Sequence, residues 1–290
     1  MSKITKAVIP CAGMGTRFMP ITKAVPKELL PIIDTPVLSY IVNEAKDSGV
    51  TDVLIVISPQ KENIRNYFTQ DVVLENKLLE AGKADVVEIL KGITDGINVS
   101  FAYQNEPKGS GDAVYKAKEF VGKDAFYLAW GDDLIVNSNP VMKQLGEAFE
   151  QSGATIVGVQ TMLSDDIVKY GVGDVVKSEG RLHYLKGIVE KPPLNELPSR
   201  LASLGRYALS SEVFDYIEKT PIGKNNELQF TDTLALMSKD GKVCAYEFEG
   251  KRYDMGDKFG AMQAYTEFAL KNAEFGDKYK DYIKKLAENL

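Results

Sequence analysis

A loop near the N-terminus combines glycines with cationic side chains in a way that suits a polyphosphate ligand. Residues 8–31 read VIPCAGMGTRFMPITKAVPKELLP, so a short apolar run leads directly into the loop. Gly13 and Gly15 permit backbone conformations and a close ligand approach that side chains would prevent. Arg17 and Lys27 add positive charge beside them. Exposed backbone N–H groups and cations bind phosphate oxygens, so this stretch predicts a phosphate-binding loop after a strand.

The charge balance of the whole chain differs from that of the loop. The chain has 35 Lys and Arg against 41 Asp and Glu, a net charge of −6, which argues against non-specific nucleic-acid binding. Residues 3–31 instead carry five cationic side chains and one acidic one, Glu28. An acidic protein with a basic, glycine-rich loop predicts a small anionic ligand rather than a nucleic acid.

Histidine and cysteine usage limits the metal and redox chemistry. The only histidine is His183, so a histidine-rich metal site is excluded, and we expect a bound metal to be a hard cation held by carboxylates, namely Mg²⁺. Cys11 and Cys244 are distant in sequence and predict free thiols in a reducing compartment. With no secretory signal and no apolar run of membrane-spanning length, we expect a cytoplasmic protein without a membrane role.

Two common nucleotide-binding motifs fail to match the loop. A dinucleotide fingerprint starting at Gly13 needs a third glycine at position 18, which is Phe18. Pro20 and Pro26 also interrupt the helix that should follow at once. No Gly-Lys-Ser/Thr sequence exists for a P-loop. The loop therefore predicts another kind of phosphate chemistry.

The elements that would position this loop alternate between strands and helices. A strand over 6–9, a helix over 37–48 and an apolar strand over 51–57 predict a right-handed crossover unit. Asn139 and Pro140 predict the cap and first residue of a later helix. Such alternation is typical of an open, doubly wound α/β sheet, which binds ligands at the carboxyl ends of its strands. Polar or glycine-rich motifs follow three predicted strands, so we expect them to meet in one crevice.

The domain organisation that this pattern predicts is simple. Residues 1–290 are expected to form one domain, with a helical insertion at about 70–92 and C-terminal helices at about 258–290. Shorter alternating strands at about 170–207 predict a β-rich extension of the same sheet. No internal repeat is evident.

Seven motifs in the chain carry a resemblance to a known family. GMGTRFMPITKAVPKELLPIIDTP, residues 13–36, resembles the signature of the sugar-1-phosphate nucleotidylyltransferases, and the further motifs follow in order: QNEPKGSGDAV, GDDLIV, GIVEKP, GRYALS, NELQFTD and DMGDKFGAMQA. Together they span almost the whole chain. The resemblance implies a Rossmann-like, mostly parallel mixed sheet flanked by helices, of the nucleotide-diphospho-sugar transferase type, with a small β-rich sugar-side extension.

The resemblance also implies a reaction. A sugar 1-phosphate oxygen attacks the α-phosphorus of a nucleoside triphosphate, and this nucleophile is already ionised, so alignment and charge neutralisation suffice without a general base. TKAVPKE resembles bacterial members that convert UTP and glucose 1-phosphate to UDP-glucose and pyrophosphate with Mg²⁺, as homodimers or homotetramers. Two alternatives stay open: a relative that uses dTTP or another hexose 1-phosphate, and a non-catalytic sugar-nucleotide sensor on the same fold.

Specific residues acquire roles from the resemblance. The catalytic set would be Arg17, Lys27, Asp132 and Lys191. The nucleotide would be bound by Ala12, Gly13, Gly15, Thr16, Arg17, Lys27, Gln104 and Gly109. The sugar phosphate would be bound by Gly173, Glu190, Lys191 and Arg206, and Mg²⁺ by Asp132 and Asp254.

Alternative interpretations apply to a few of these positions. Arg206 alternatively forms a structural ion pair, and Asp254 alternatively stabilises a turn before Gly256. Asp112 occupies a place where many members of the family have histidine or another residue, and at a helix entrance it predicts a cap and dipole partner. Cys11 replaces a small apolar residue and is assigned no chemistry.

Overall fold

The computed structural model describes residues 3–223 and 226–288. The strands, in chain order, are β1 Lys6–Pro10, β2 Pro31–Ile32, β3 Thr35–Pro36, β4 Asp52–Ile57, β5 Asn98–Tyr103, β6 Phe126–Ala129, β7 Asp133–Val136, β8 Thr155–Thr161, β9 Gly171–Glu179, β10 Leu182–Glu190, β11 Leu201–Leu209, β12 Val243–Glu247 and β13 Lys251–Asp254. The α-helices are α1 Val37–Asp47, α2 Glu62–Phe68, α3 Val72–Glu80, α4 Ala84–Gly92, α5 Ser110–Tyr115, α6 Lys118–Val121, α7 Val141–Ser152, α8 Val213–Lys219, α9 Phe230–Lys239, α10 Lys258–Lys271 and α11 Gly276–Ala287. Within these residues, no helix is long and apolar enough to cross a membrane.

Nine strands of the described chain form one twisted sheet in the order β5-β4-β1-β6-β11-β8-β12-β10-β9. The first four are mutually parallel, whereas β11 runs antiparallel to both β6 and β8. The predicted Rossmann-like mixed sheet is therefore confirmed. The chain moves outward from β1 through β4 to β5 and then returns to place β6 on the other side of β1, which creates a topological switch point between β1 and β6.

Helices cover both faces of this sheet because successive strand residues point to opposite sides. In β1, Ala7 and Ile9 belong to the hydrophobic cluster that includes α1 and α7, while Val8 belongs to the cluster that includes α5, α8 and α9. All three are fully buried. Strands buried on both faces need apolar residues at every position, which explains the continuous apolar run VLIVI in β4. The core thus fixes the strand ends from which the functional loops leave.

The regions predicted as additions to the sheet differ in their packing. Residues of the β-rich segment form β9 and β10 at one edge of the nine-stranded sheet, but β11 lies near its centre between β6 and β8. Residues 70–92 form α3 and α4, where Val73 and Ile89 are each about two-thirds exposed. The β-rich segment is therefore part of the main sheet, whereas α3 and α4 lie on the surface.

The predicted start of α7 is wrong. Pro140 is the last non-helical residue, with ψ of 139°, and the Asn139 side chain does not cap the helix. The Met142 N–H instead donates to the carboxylate of Glu44 in α1, at 3.1 Å. A residue distant in sequence supplies the cap, which local sequence patterns cannot predict.

The structure also corrects the assignment of Arg206 to the sugar phosphate. Its side chain is fully buried and donates to both Glu44 carboxylate oxygens, with a shortest distance of 2.8 Å, and to the carbonyls of Gly205 and Asp133. Four of the five guanidinium N–H groups are thus used inside the core, and a fully buried guanidinium cannot reach a substrate in the cleft. The alternative interpretation, a structural ion pair, describes Arg206.

We expect Glu44→Ala to lower the free energy of unfolding by about 3 to 5 kcal/mol, because it leaves the Arg206 charge buried without a partner. Urea denaturation followed by circular dichroism measures this loss. Glu88→Ala is a suitable control, since Glu88 is exposed and pairs with Lys91 on the same helix α4; it should cost no more than about 1 kcal/mol. Similar midpoints for both variants would contradict a structural role for the buried pair.

Candidate active site

The loop after β1 is built from short 3₁₀ turns rather than an α-helix. Its turns are Thr16–Phe18, Ile21–Lys23 and Lys27–Leu29, and Thr16 is exposed at the start of the first. Gly15 has φ of 66°, and a Cβ there would lie 3.2 Å from Cγ2 of Thr22. Nothing lies within 4 Å of a Cβ built on Gly13. Gly15 therefore shapes the loop, and the open space beside Gly13 leaves room for a ligand to approach the backbone.

A buried ion pair fastens this loop to the sheet. Lys61, in the turn after β4, donates to both carboxylate oxygens of Glu28 at 2.9 and 2.7 Å and to the carbonyl of Cys11 at 2.7 Å. The Lys61 and Glu28 side chains are 9% and 1% exposed. Burial raises the pKa of Glu28, while the nearby Lys61 and Lys27 charges act against that rise. Sequence reasoning counted Glu28 only as a charge and did not identify Lys61, because the pair joins residues 33 positions apart.

A second ion pair spans the switch point between β1 and β6. The ammonium of Lys27 donates to Oδ2 of Asp132, which follows β6, and both side chains remain about one-fifth exposed. Burial opposes both charges. The carboxylates of Asp132 and Glu28 nevertheless raise the pKa of Lys27, and Lys27 and Arg17 hold the pKa of Asp132 below its ordinary value. Both groups therefore stay charged and accessible to a ligand.

Arg17 and Asp254 come to the same place through the backbone around Gly256. The Arg17 guanidinium donates to the Gly256 carbonyl at 3.0 Å, and the Met255 N–H donates to the Asp132 carbonyl at 2.9 Å. A Cβ built on Gly256 would lie 2.6 Å from Oδ2 of Asp132, 3.1 Å from Oδ1 of Asp254 and 3.4 Å from Nη1 of Arg17. Asp132, Asp254 and Arg17 therefore all lie within contact distance of the same point beside Gly256.

The donor set of this cluster fits a hard cation. Asp132 and Asp254 present carboxylate oxygens, and Mg²⁺ is usually bound through one or two carboxylates plus substrate phosphates and water. In the part of the chain that the structure describes, no group of three or more His, Cys, Asp or Glu side chains forms a complete metal cage. A cation here would therefore share its coordination with a ligand.

Two residues that the sequence did not single out hold Asp254 in place. The Tyr170 hydroxyl donates to Oδ2 of Asp254 at 3.0 Å. The Arg252 guanidinium stacks 4.7 Å from the centre of the Tyr170 ring and donates to its hydroxyl at 2.9 Å. Arg252 also forms an ion pair with Asp133. The Asp133 carboxylate is therefore used beside the cluster and is not part of it. Tyr170 and Arg252 are distant from Asp132 in sequence, so only the packing identifies them.

The end of β10 places Glu190 and Lys191 next to each other, and Lys191 lines a neighbouring cleft. The strand ends at Glu190 and Lys191 has φ of 47°; Pro192 and Pro193, which follow, cannot donate to a sheet ladder. The Thr231 hydroxyl donates to Oε2 of Glu190 at 2.7 Å. Lys191 is mostly exposed and, with Arg17, Lys169, Tyr170 and Asp254 among others, lines a cleft of about 560 Å³.

Gly173, which the resemblance assigns to the sugar phosphate, does not lie directly opposite Glu190. A Cβ on Gly173 would meet Leu185, and the Gly173 carbonyl accepts from the Ser199 hydroxyl at 2.6 Å. Gly171 pairs with Glu190 across the hairpin, and a Cβ there would lie 3.5 Å from Oε2 of Glu190. Gly173 therefore lies too far along β9. Counting the antiparallel register back from the turn after Glu179 would have identified Gly171.

The opposite side of the loop opens into a second cavity of about 390 Å³. Ala12, Met14, Ser58, Gln104 and Asn105 are among its lining residues. Gln104 follows β5, which places it next to the end of β4. The cavity combines apolar side chains with several polar ones, an arrangement that suits a heterocycle with hydrogen-bonding edges.

Gly109 and Asp112 lie behind Gln104. Gly109 has φ of 100° and a Cβ there would overlap the Leu228 backbone, so no other residue fits without rearrangement. The predicted capping role of Asp112 is wrong, because Gly109 occupies the N-cap position of α5 and no side chain caps it. Asp112 lies in the first turn, where its charge complements the helix dipole.

Comparison with known proteins agrees with this architecture. A model of the nucleotidyl transferase family matches residues 6–273. A UTP–glucose-1-phosphate uridylyltransferase of Staphylococcus epidermidis is 43% identical over 99% of each chain. The solved structure of a UTP-bound UGPase from Acinetobacter baumannii superposes with a TM-score of 0.90 at 34% identity, covering 98% of this chain and 99% of that one.

A second solved structure extends the comparison to a product complex. A UDP-glucose pyrophosphorylase complexed with UDP-glucose has a TM-score of 0.84 at 35% identity, covering 93% of this chain and all of the other. These similarities extend over nearly the full chain, as do the collinear motifs. The predicted family is confirmed, and this chain belongs to the nucleotidyl transferase family.

Proposed function

We propose that this protein transfers a uridylyl group from UTP to glucose 1-phosphate, giving UDP-glucose and pyrophosphate. The observation that carries the proposal is the convergence of Arg17, Lys27, Asp132 and Asp254 at the switch point. This cluster lies between a pocket suited to a base and a cleft that contains Lys191. Relatives that act on these substrates, or were solved with them, resemble the chain from end to end.

The arrangement suits in-line displacement at the α-phosphorus. An oxygen of glucose 1-phosphate forms the new P–O bond, and the bond to the β-phosphate oxygen breaks, so the electron pair leaves with pyrophosphate. The nucleophile is an ionised phosphate, which explains why the cluster needs no general base. Arg17 and Lys27 balance charge on the triphosphate, and the Gly13 and Gly15 loop lets it approach the backbone.

Asp132 and Asp254 are the residues that would hold Mg²⁺. The bound cation would neutralise phosphate oxygens. Tyr170 donates to the Asp254 oxygen that faces away from Gly256, and thereby orients the other oxygen toward Asp132. Lys27 already pairs with Asp132, so entry of a cation and a phosphate would free its ammonium to contact the phosphate.

The sugar half of the substrate would occupy the Lys191 side. Lys191 would contact the sugar phosphate with its exposed ammonium. Glu190 would accept hydrogen bonds from sugar hydroxyls, and the Thr231 hydroxyl keeps its carboxylate oriented. Gly171, directly opposite Glu190, leaves space for the sugar ring.

The proposal also covers the location, the oligomeric state and the domain organisation of the protein. Within the described residues Cys11 and Cys244 are both buried and free, which supports a reducing, cytoplasmic location. Exposed apolar side chains on α3 and α4, such as Val73 and Ile89, support assembly as a homodimer or homotetramer. Residues 1–290 would act as one domain.

We expect pyrophosphate release to be fastest with UTP, glucose 1-phosphate and Mg²⁺ in a matrix of nucleoside triphosphates and sugar 1-phosphates. Activity should disappear with excess chelator and return with Mg²⁺. Faster turnover with dTTP or another hexose 1-phosphate would show that UTP or glucose 1-phosphate is not the preferred substrate. Absence of pyrophosphate in every combination would favour the non-catalytic sensor.

Replacing Lys191 with alanine should reduce kcat/KM for glucose 1-phosphate about 100-fold, because a charge next to the reacting phosphate is lost. UTP affinity should change little. Steady-state kinetics and calorimetry with UTP separate the two effects. Lys186→Ala provides the control on the same strand, since Lys186 is exposed and pairs with Asp174 away from the cleft. Equal losses toward both substrates would refute the assignment.

Asp132→Asn should abolish Mg²⁺-supported activity while leaving the thermal unfolding midpoint near that of the wild type, because Asp132 is partly exposed and not part of the core. The measurement is activity against Mg²⁺ concentration. Asp124→Asn is the control, since Asp124 precedes the other end of β6 and is largely exposed. A near-normal Mg²⁺ titration for Asp132→Asn would remove Asp132 from the metal site.

A further inference from the structure

The amide nitrogen of Gln104 lies between two hydrogen-bond acceptors. Nε2 donates to the Gly109 carbonyl at 3.0 Å and to Oδ2 of Asp112 at 2.8 Å. A carbonyl oxygen and an ionised carboxylate oxygen only accept, so the group facing them must be the NH₂ end of the amide. Both amide hydrogens are thereby used within the protein. The contacts themselves fix which way the amide points.

The other end of the amide is left for a ligand. Gln104 lines the 390 Å³ cavity, and among the described residues none donates a hydrogen bond to its Oε1. The side chain is only 7% exposed, so it is held rigidly at the cavity wall. The cavity therefore offers a fixed acceptor at this position and no donor from Gln104.

Asp112 is itself held in the orientation that this arrangement needs. Its second oxygen, Oδ1, pairs with the Lys116 ammonium one turn along α5, at 3.1 Å. The carboxylate lies in the first turn of the helix, where the dipole favours negative charge. Its side chain is 16% exposed and lies behind Gln104 rather than in the cavity lining.

We propose that Asp112 is a positioning residue for base selection, acting through the amide of Gln104. This inference rests on the proposed use of UTP, because the only donor on the pairing edge of uracil is N3–H. The fixed Oε1 accepts from that N3–H. Cytosine in the same position presents an unprotonated N3, so two acceptors would face each other and CTP is rejected.

The test is calorimetric binding of UTP and CTP, which requires no turnover. Asp112→Asn keeps the size of the side chain but can present an NH₂ group, which allows the Gln104 amide to turn over. We expect UTP affinity to fall about tenfold and the preference for UTP over CTP to shrink by at least as much, as for a lost buried hydrogen bond. Asp215→Asn is the matched control, an exposed aspartate in the first turn of α8, and should change neither value.

A double-mutant cycle separates positioning from a general structural effect. In a Gln104→Ala background, Asp112→Asn should have no further effect on UTP affinity, because the residue through which it acts is gone. The inference is overturned if Asp112→Asn lowers UTP affinity equally in both backgrounds or leaves the UTP/CTP preference unchanged. The pyrophosphate assay tests the proposed function separately. If the enzyme releases pyrophosphate but Asp112→Asn leaves the preference for UTP over CTP unchanged, only the role of Asp112 is refuted and the proposed function stands.

Discussion

The buried Glu28–Lys61 ion pair is the interaction on which the geometry of the site depends. Two charges removed from water are tolerated only when they neutralise each other and their remaining hydrogen-bonding capacity is used. Lys61 meets this condition by also donating to the Cys11 carbonyl, which joins the end of β1, the phosphate loop and the turn after β4. Since Lys27 directly precedes Glu28, fixing one carboxylate in the core directs the neighbouring ammonium across the switch point to Asp132.

In a sheet whose strand order reverses once, loops from distant parts of the chain meet at one edge of the sheet. The loops after β1 and β6 diverge because their chains leave in opposite directions, and the gap between them opens at the switch point. β13 reaches the same gap because it pairs with β7, the short strand that directly follows Asp132. The cationic side chains Arg17 and Lys27 and the carboxylates Asp132 and Asp254 therefore meet although they span most of the chain. The balance of charge within the cluster, rather than any nucleophile and base, characterises its chemistry.

The wrong assignments share a physical origin. Arg206 lies in a motif of the family resemblance, but strand alternation and the Glu44 carboxylate place its side chain in the core. Asn139 had the residue type of a helix cap, yet Glu44 caps α7 from another helix. Each error treated a local pattern as complete when a partner far away in sequence determined the outcome. Tyr170 was overlooked for the same reason, since it lies 84 positions from its partner Asp254.

The sequence by itself determined the α/β class, the strand–loop order, the absence of a helix after Gly15 and the break at Lys191, because these depend on residue type and short-range sterics. Family motifs also identified most of the cluster residues. Only the tertiary structure decided that Glu28 pairs with Lys61, that Arg206 serves the core and that Asp112 fixes the Gln104 amide. Those outcomes depend on which distant groups share a buried volume, where every donor and charge must find a partner, and that volume exists only after the chain has folded.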